Sequence, residues 1–445
     1  MKTYKLFLVI VAAIATIVSC TSGKKAESVI QPPFNNLNID FSSFDFDAEQ
    51  GVKVNLPTGT QIEIPGGSLV DQNGHPVNGR VSLRYREFLD AAGILMSGIP
   101  MVYDTAGGTA DFISAGMFEI GVSQNGSDLQ IATGKKVRVL MASPSPEDNF
   151  NFYSLNKNDG KWNYEGRTHP VENPLRKQIL DSMMFGKVKP IEPKKMDISR
   201  AFRFDIDMSA FPELKMFNNV QWEYNGSDED LGSPAQNAWI FSQNWRDISA
   251  TSVEGPPGVY TIQLRGLGKS FSMPVKPVFS ADDLSAARER FEIEMKNYNQ
   301  ALQKAEEELR SKNIVGEVLR EYELTSFGVC NWDRIQKMID SKEFKVVTAT
   351  YSFEEFVSSD QPKIFLITNG GKSVRACVGE LYKNMIYDPA LENKLLAVFP
   401  DNHVAVFSAE DFRKIGDVKS FNFEMDFVRE KITSHHQLQQ IIEGI

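Results

Sequence analysis

The chain reads as a mainly β, multi-domain protein: antiparallel β-sandwich modules, with one long amphipathic helix between the central and C-terminal β regions. Three observations carry that expectation. Short stretches alternate apolar and polar residues with period two. Asn-Gly and Asp-Gly pairs punctuate them where tight hairpins need positive φ. The chain has 445 residues, 42% hydrophobic and 24% charged, enough for about two to four ordinary globular domains.

The first residues set the address. Lys2 and Lys5 precede an apolar run from Leu6 to Val18, and no acidic residue occurs before Cys20. The run is shorter than the roughly 20 residues a spanning helix needs, and it fits the core of a signal peptide. It ends in Ile17-Val18-Ser19-Cys20, which resembles the lipobox of bacterial lipoproteins. The resemblance implies a signal peptide over 1–19, cleavage after Ser19 and a diacylglyceryl thioether on Cys20. Acyl chains bury about 0.8 kcal/mol per methylene, so two or three of them anchor a domain without a spanning helix. Residues 20–45, polar and carrying Pro32-Pro33, are expected to form a tether. Thr21 stands where an aspartate marks inner-membrane retention in some enterobacteria, which favours delivery to the outer membrane.

The strands follow in order. Val52–Leu56, Gln61–Pro65, Val81–Tyr85, Met117–Val122, Lys136–Leu140 and Phe150–Leu155 alternate, separated by turns such as Asn73-Gly74, Asn125-Gly126 and Asp159-Gly160. They predict a sandwich over 46–168. The stretch Leu56 to Phe88, with its Ile-Pro strand end followed by GSLVD, NG and PV, resembles the opening of a ZU5-like β-sandwich. Ser114–Val122, Phe152–Trp162 and the SFGVCNWDRI of Ser326–Ile335 resemble phrases of Bacteroidota-type envelope lipoproteins. The likeness implies binding or assembly modules and brings no catalytic residues with it.

A proline-bearing connector is expected over 169–200, and a second β domain over 201–279 from Phe202–Ile206, Val220–Tyr224, Val259–Leu264 and Ser270–Val275. A helical segment is expected over 280–322. Ser280 is placed to cap it, with Asp282 and Asp283 in its first turn. Leu284, Phe291, Tyr298 and Ala305 recur every seven residues, with Met295, Leu302 and Leu309 on the same stripe. Packing on the neighbouring sheet is the favoured use of that stripe, and a helix-mediated dimer the weaker one. The rest, 323–445, is expected to be a β-rich domain with short helices near Ser408 and Ser434.

Charge and motifs narrow the function. The formal charge of −10 falls by two more when Lys2 and Lys5 leave with the signal peptide, which argues against nucleic acid and anionic lipid as partners. Leu366 occupies the position of the first glycine in what otherwise ends like a phosphate loop, so Asn369-Gly370 is expected to be a hairpin turn. His-Glu-x-x-His and Gly-x-Ser-x-Gly are absent from the sequence. His435-His436 is expected to be an exposed tail pair, and no metal or cofactor site is anticipated. Cys330 and Cys377 remain after lipidation, and an oxidising compartment permits a disulfide between them. Trp222, Trp239 and Trp245 crowd one region, where they can stack on sugar rings or fill a core. The expected function is a non-enzymatic, lipid-anchored envelope scaffold for a protein or glycan partner. The alternative is an envelope hydrolase whose carboxylates come from distant strands.

Overall fold

The computed structural model describes residues 29–445 apart from 107, 205, 254–256, 313, 315, 337–343 and 354–360. Cys20 and the expected tether up to residue 28 lie outside the described residues; the rest of that segment is not a free tether, because Phe34 is buried in the core and Ser42–Asp47 is a strand. Strand makes up 41% and helix 19%, against about 20–25% strand in an average soluble domain, so the protein is mainly β, in several antiparallel sheets. The chain forms two compact units: Met1–Glu172 with Gly316–Ile445, and Asn173–Val315.

The first unit begins with a sandwich. One sheet runs in the order Ser42–Asp47, Arg80–Phe88, Gly108–Gln124, Gly328–Ile335, Asn151–Leu155 and Trp162–Arg167. The other runs Val171–Glu172, Val318–Leu324, Val137–Ser143, Gln61–Pro65 and Gly51–Asn55. Alternation decides which side chains meet between them. Leu83, Tyr85, Phe118, Ile120, Cys330 and Trp332 from the first sheet join Ile62, Ile64, Val137, Val139 and Leu324 from the second in one core.

The C-terminal residues form a seven-stranded sheet, ordered Ser373–Cys377, Lys363–Thr368, Lys394–Val398, Val404–Phe407, Ser420–Val428, Lys345–Phe353 and Asn384–Tyr387. Its middle strands are apolar on both sides, as expected of strands buried on both faces. Phe365, Ile367, Leu396 and Val398 pack toward the outer face of the sandwich. Ile364, Leu366, Leu395 and Ala397 build a separate core on the other side. The Asn369-Gly370 turn is a hairpin as expected, joining Thr368 to its partner Ser373 with φ of 55° and 63°.

The second unit holds a five-stranded sheet, ordered Ala201–Phe202, Gln221–Tyr224, Lys269–Val278, Tyr260–Gly266 and Asp247–Ser252. The helix Ala281–Ser311 follows it, capped by Ser280, whose side chain accepts from the Asp283 amide. Leu284, Ala287 and Phe291 close the core of this sheet. Farther along, Glu306 accepts two 2.6 Å hydrogen bonds from Arg176 on the helix Pro174–Met183.

These boundaries differ from the expected ones. The division at 322/323 falls inside the strand Val318–Leu324, and the residues up to Ile335 complete the sandwich instead of opening a C-terminal domain. The expected connector contains a helix, and the helical segment ends at Ser311. A wholly buried helix, Ala91–Ser97, was not anticipated.

The histidine pair is corrected as well. His435 is half-buried, and its Nε2 lies 2.8 Å from Asp90 Oδ1. Asp90 caps Ala91–Ser97, and His435 opens the last helix, His435–Glu443. The hydrogen bond and charge of Asp90 raise the His435 pKa above 6.5 against the opposing effect of burial. A raised histidine pKa contributes stability that is complete below the unfolded value and lost as pH rises through the folded one. His435→Gln should therefore lower the urea midpoint more at pH 6 than at pH 8.5, as measured by equilibrium denaturation.

Candidate functional site

A patch on the second unit brings several aromatic rings together at the surface. A short 3-10 helix, Ala238–Ser242, presents Trp239 at 38% exposure and Phe241 at 52%. Trp239 lies 6.0 Å from Trp245 and 5.8 Å from Phe271, centroid to centroid. Both indole N–H groups are engaged: Trp239 donates to Asn237 Oδ1 at 3.2 Å and Trp245 to the Ile240 carbonyl at 2.8 Å. Those bonds fix the rings before any ligand arrives, which lowers the entropy lost on binding. Phe241 stacks with Phe204 at 6.5 Å and 16°. Lys269 Nζ stands 5.3 Å from the Trp239 ring and 3.5 Å from Gln243 Oε1, so polar groups border the rings.

Trp222 does not belong to this patch. It is fully buried in the core of the sheet, edge-on to Tyr260 at 5.5 Å. Period two explains the difference, because Trp222 and Tyr224 occupy core-facing positions of one strand while Trp239 sits on an irregular segment. The disulfide is also corrected: Cys330 and Cys377 are free thiols. Cys330 lies in the sandwich core and Cys377 in the core beyond the seven-stranded sheet, so their strands never bring the sulfurs together. Burial pushes both thiols up, Cys377 to about 11, and a protonated thiol is a poor nucleophile.

A cleft of 380 Å³ on the sandwich is lined by Phe41, Arg84, Glu119, Gly121, Asp128 and Lys157, among others. Its charges already answer one another. Glu119 is held by Arg86 at 2.5 Å and Lys157 at 2.7 Å, and Arg84 pairs with Asp128 at 3.0 Å. Burial opposes ionisation of Glu119, but the two cations keep its carboxyl below the usual range. Phe41 covers the Arg86 guanidinium at 4.2 Å. This is a fastening for the start of the first strand rather than an open acid–base pair.

Two buried polar groups were not singled out in the sequence. Arg320 is fully buried and donates to the carbonyls of Ser145 and Glu147, both at 2.7 Å. It thereby ties that loop to the sandwich, and desolvation draws its pKa down to about 10. Asp333 lies opposite Ser114, beside the register shift between Trp332 and Asp333. Burial holds its carboxyl far above the ordinary range, although Ser114 and Asn331 beside it favour ionisation. Neither of those neighbours is aligned for a hydrogen bond with it, and both carboxyl oxygens are unpaired. The local signal was the repeated polar residue in Asn331-Trp332-Asp333, which alternation alone assigns to an exposed face. Among the described residues, no cluster of three or more His, Cys, Asp or Glu side chains is placed to hold a metal ion.

Asp333 changes stability with pH in the same direction as His435, over a window that opens at lower pH. An unfolded aspartate ionises near pH 3.9, while the folded one stays protonated well above that. Folding stability is thus lost as pH rises above the unfolded value. Asp333→Asn should be stabilising relative to the wild type at pH 7 by more than about 1 kcal/mol, and the gain should shrink toward pH 4, as read from urea midpoints at the two pH values.

No family model matches the chain, and no curated protein or solved structure was found to match it.

Proposed function

We propose that this chain is a lipid-anchored scaffold of the bacterial envelope, held at the outer membrane through Cys20, whose second unit binds glycan. The observation that carries the reading is the surface pairing of Trp239 and Trp245, with Phe241 beside them and both indole N–H groups already occupied. Sugar rings present C–H faces that pack on aromatic faces, and their hydroxyls need polar groups at the rim. Asn237, Gln243 and Lys269 supply such a rim. Nothing in this arrangement transfers a proton or a group. The protein holds its ligand, and the lipid holds the protein.

Two outcomes check the reading. Cys20→Ala should move the chain from the membrane fraction to the soluble fraction of the envelope; continued sedimentation with membranes would remove the anchor. Titration with a panel of neutral and acidic oligosaccharides should show binding that weakens at least tenfold in Trp239→Ala, with an unchanged circular dichroism melt. A loss of that size corresponds to about 1.4 kcal/mol, ordinary for an aromatic anchor. If no oligosaccharide perturbs the tryptophan fluorescence, the glycan assignment fails.

A further inference from the structure

The second unit also contains a groove of 410 Å³, distinct from the aromatic patch in every lining residue. Its apolar surface comes from Pro190, Ile191, Pro257, Pro277, Phe291 and Met295. Phe291 and Met295 are one helical turn apart, so they present one continuous face. The segment opposite them is pinned in place: the Phe279 amide donates to the Lys194 carbonyl, and the Met196 amide to the Phe279 carbonyl, each at 2.9 Å.

The lining tells what kind of molecule fits. No hydroxyl or amide side chain contributes to it, and three of its residues are prolines, which have no N–H to donate. A peptide or a sugar laid on this apolar floor would leave the polar groups that face it unpaired, at a cost in affinity. A hydrocarbon chain has none to leave. The polar lining consists of the charged residues Lys189, Glu192, Lys194 and Lys276. Lys276 is committed to Glu223 at 2.8 Å. Lys189 and Lys194 are exposed, and among the described residues neither has a carboxylate partner. The stretch from Lys187 to Lys195 carries four lysines and one glutamate in a chain whose formal charge is −10. A local excess of positive charge beside an apolar floor is complementary to an amphiphile with an anionic head.

We propose that this groove binds a long-chain fatty acid. The tail lies on the prolines, Ile191, Phe291 and Met295, and the carboxylate pairs with Lys189 and Lys194. Methionine suits such a tail because its flexible thioether adapts to a chain with many conformers.

The test is a calorimetric titration of the mature chain, with Cys20→Ala to remove the acyl groups expected there. The titrants are palmitate, palmityl alcohol and vesicles of phosphatidylglycerol. Palmitate should bind. The double variant Lys189→Glu, Lys194→Glu should weaken it at least tenfold and leave the uncharged alcohol unaffected; both positions are on the surface, so the fold is not at risk. Met295→Asp should weaken palmitate and the alcohol alike. Absence of palmitate binding would overturn the proposal, as would binding indifferent to all these substitutions. Binding to the vesicles without binding to palmitate would assign the lysines to a membrane surface and overturn it equally.

Discussion

The sandwich depends on one strand that arrives late. Gly328–Ile335 lies between Gly108–Gln124 and Asn151–Leu155 in the larger sheet, with Trp332 fully buried against Phe118 and Phe152. Until that strand is in place, a 17-residue strand and a five-residue one have unpaired edges facing a gap, and the core lacks its largest ring. Its predecessor in the chain, Val318–Leu324, enters the opposite sheet beside Val137–Ser143. Both layers are therefore closed by residues that follow the whole of the second unit. Such contacts span long loops, and loop closure must be met before the contacts reward it.

That constraint explains what could be read from the sequence. The strands of the first half announced themselves by alternation, and Gln61–Pro65 has the expected limits. The strands Lys363–Thr368 and Lys394–Val398 fall within the stretch expected to be β-rich. The long helix was marked by Ser280 and its heptads. What escaped was pairing at a distance. Nothing local in Val318–Leu324 says that its partner is Val137–Ser143. The helix Ala91–Ser97 is buried on every side and, apart from Ser97, carries no polar side chain; so short a run has no period to read. Of the proposed binding residues, Trp239 and Trp245 form a surface pair, while Trp222 obeys the alternation of its strand and turns inward. Lysines and prolines of an expected linker became the wall of a groove because neighbouring backbone amides pin them to the end of a strand.

The polar groups inside the first unit follow a common logic. Arg320 donates to two backbone carbonyls and to Ser143 Oγ, and Arg375 reaches Asp111 at 3.1 Å. Burial keeps the Asp111 carboxyl above its usual range despite that arginine, so desolvation outweighs the ion pair there. Buried ion pairs of this kind add little net stability, yet removing one partner is costly. Asp333 shows the same balance without a counter-ion. Asp333 sits beside the register shift at Trp332, where an irregularity locally disrupts the ladder.

The strands that lead into and out of the second unit share a ladder of two rungs. Val171 pairs with Leu319 and Glu172 with Val318, on neighbouring antiparallel strands. In chain terms, everything from Asn173 to Val315 is the tip of one hairpin. A short turn would satisfy the same two rungs, so the inserted unit can be lengthened, shortened or exchanged while the host keeps every ladder it has. The make-up of the inserted unit and the ladder pattern of its host can then change independently within one polypeptide.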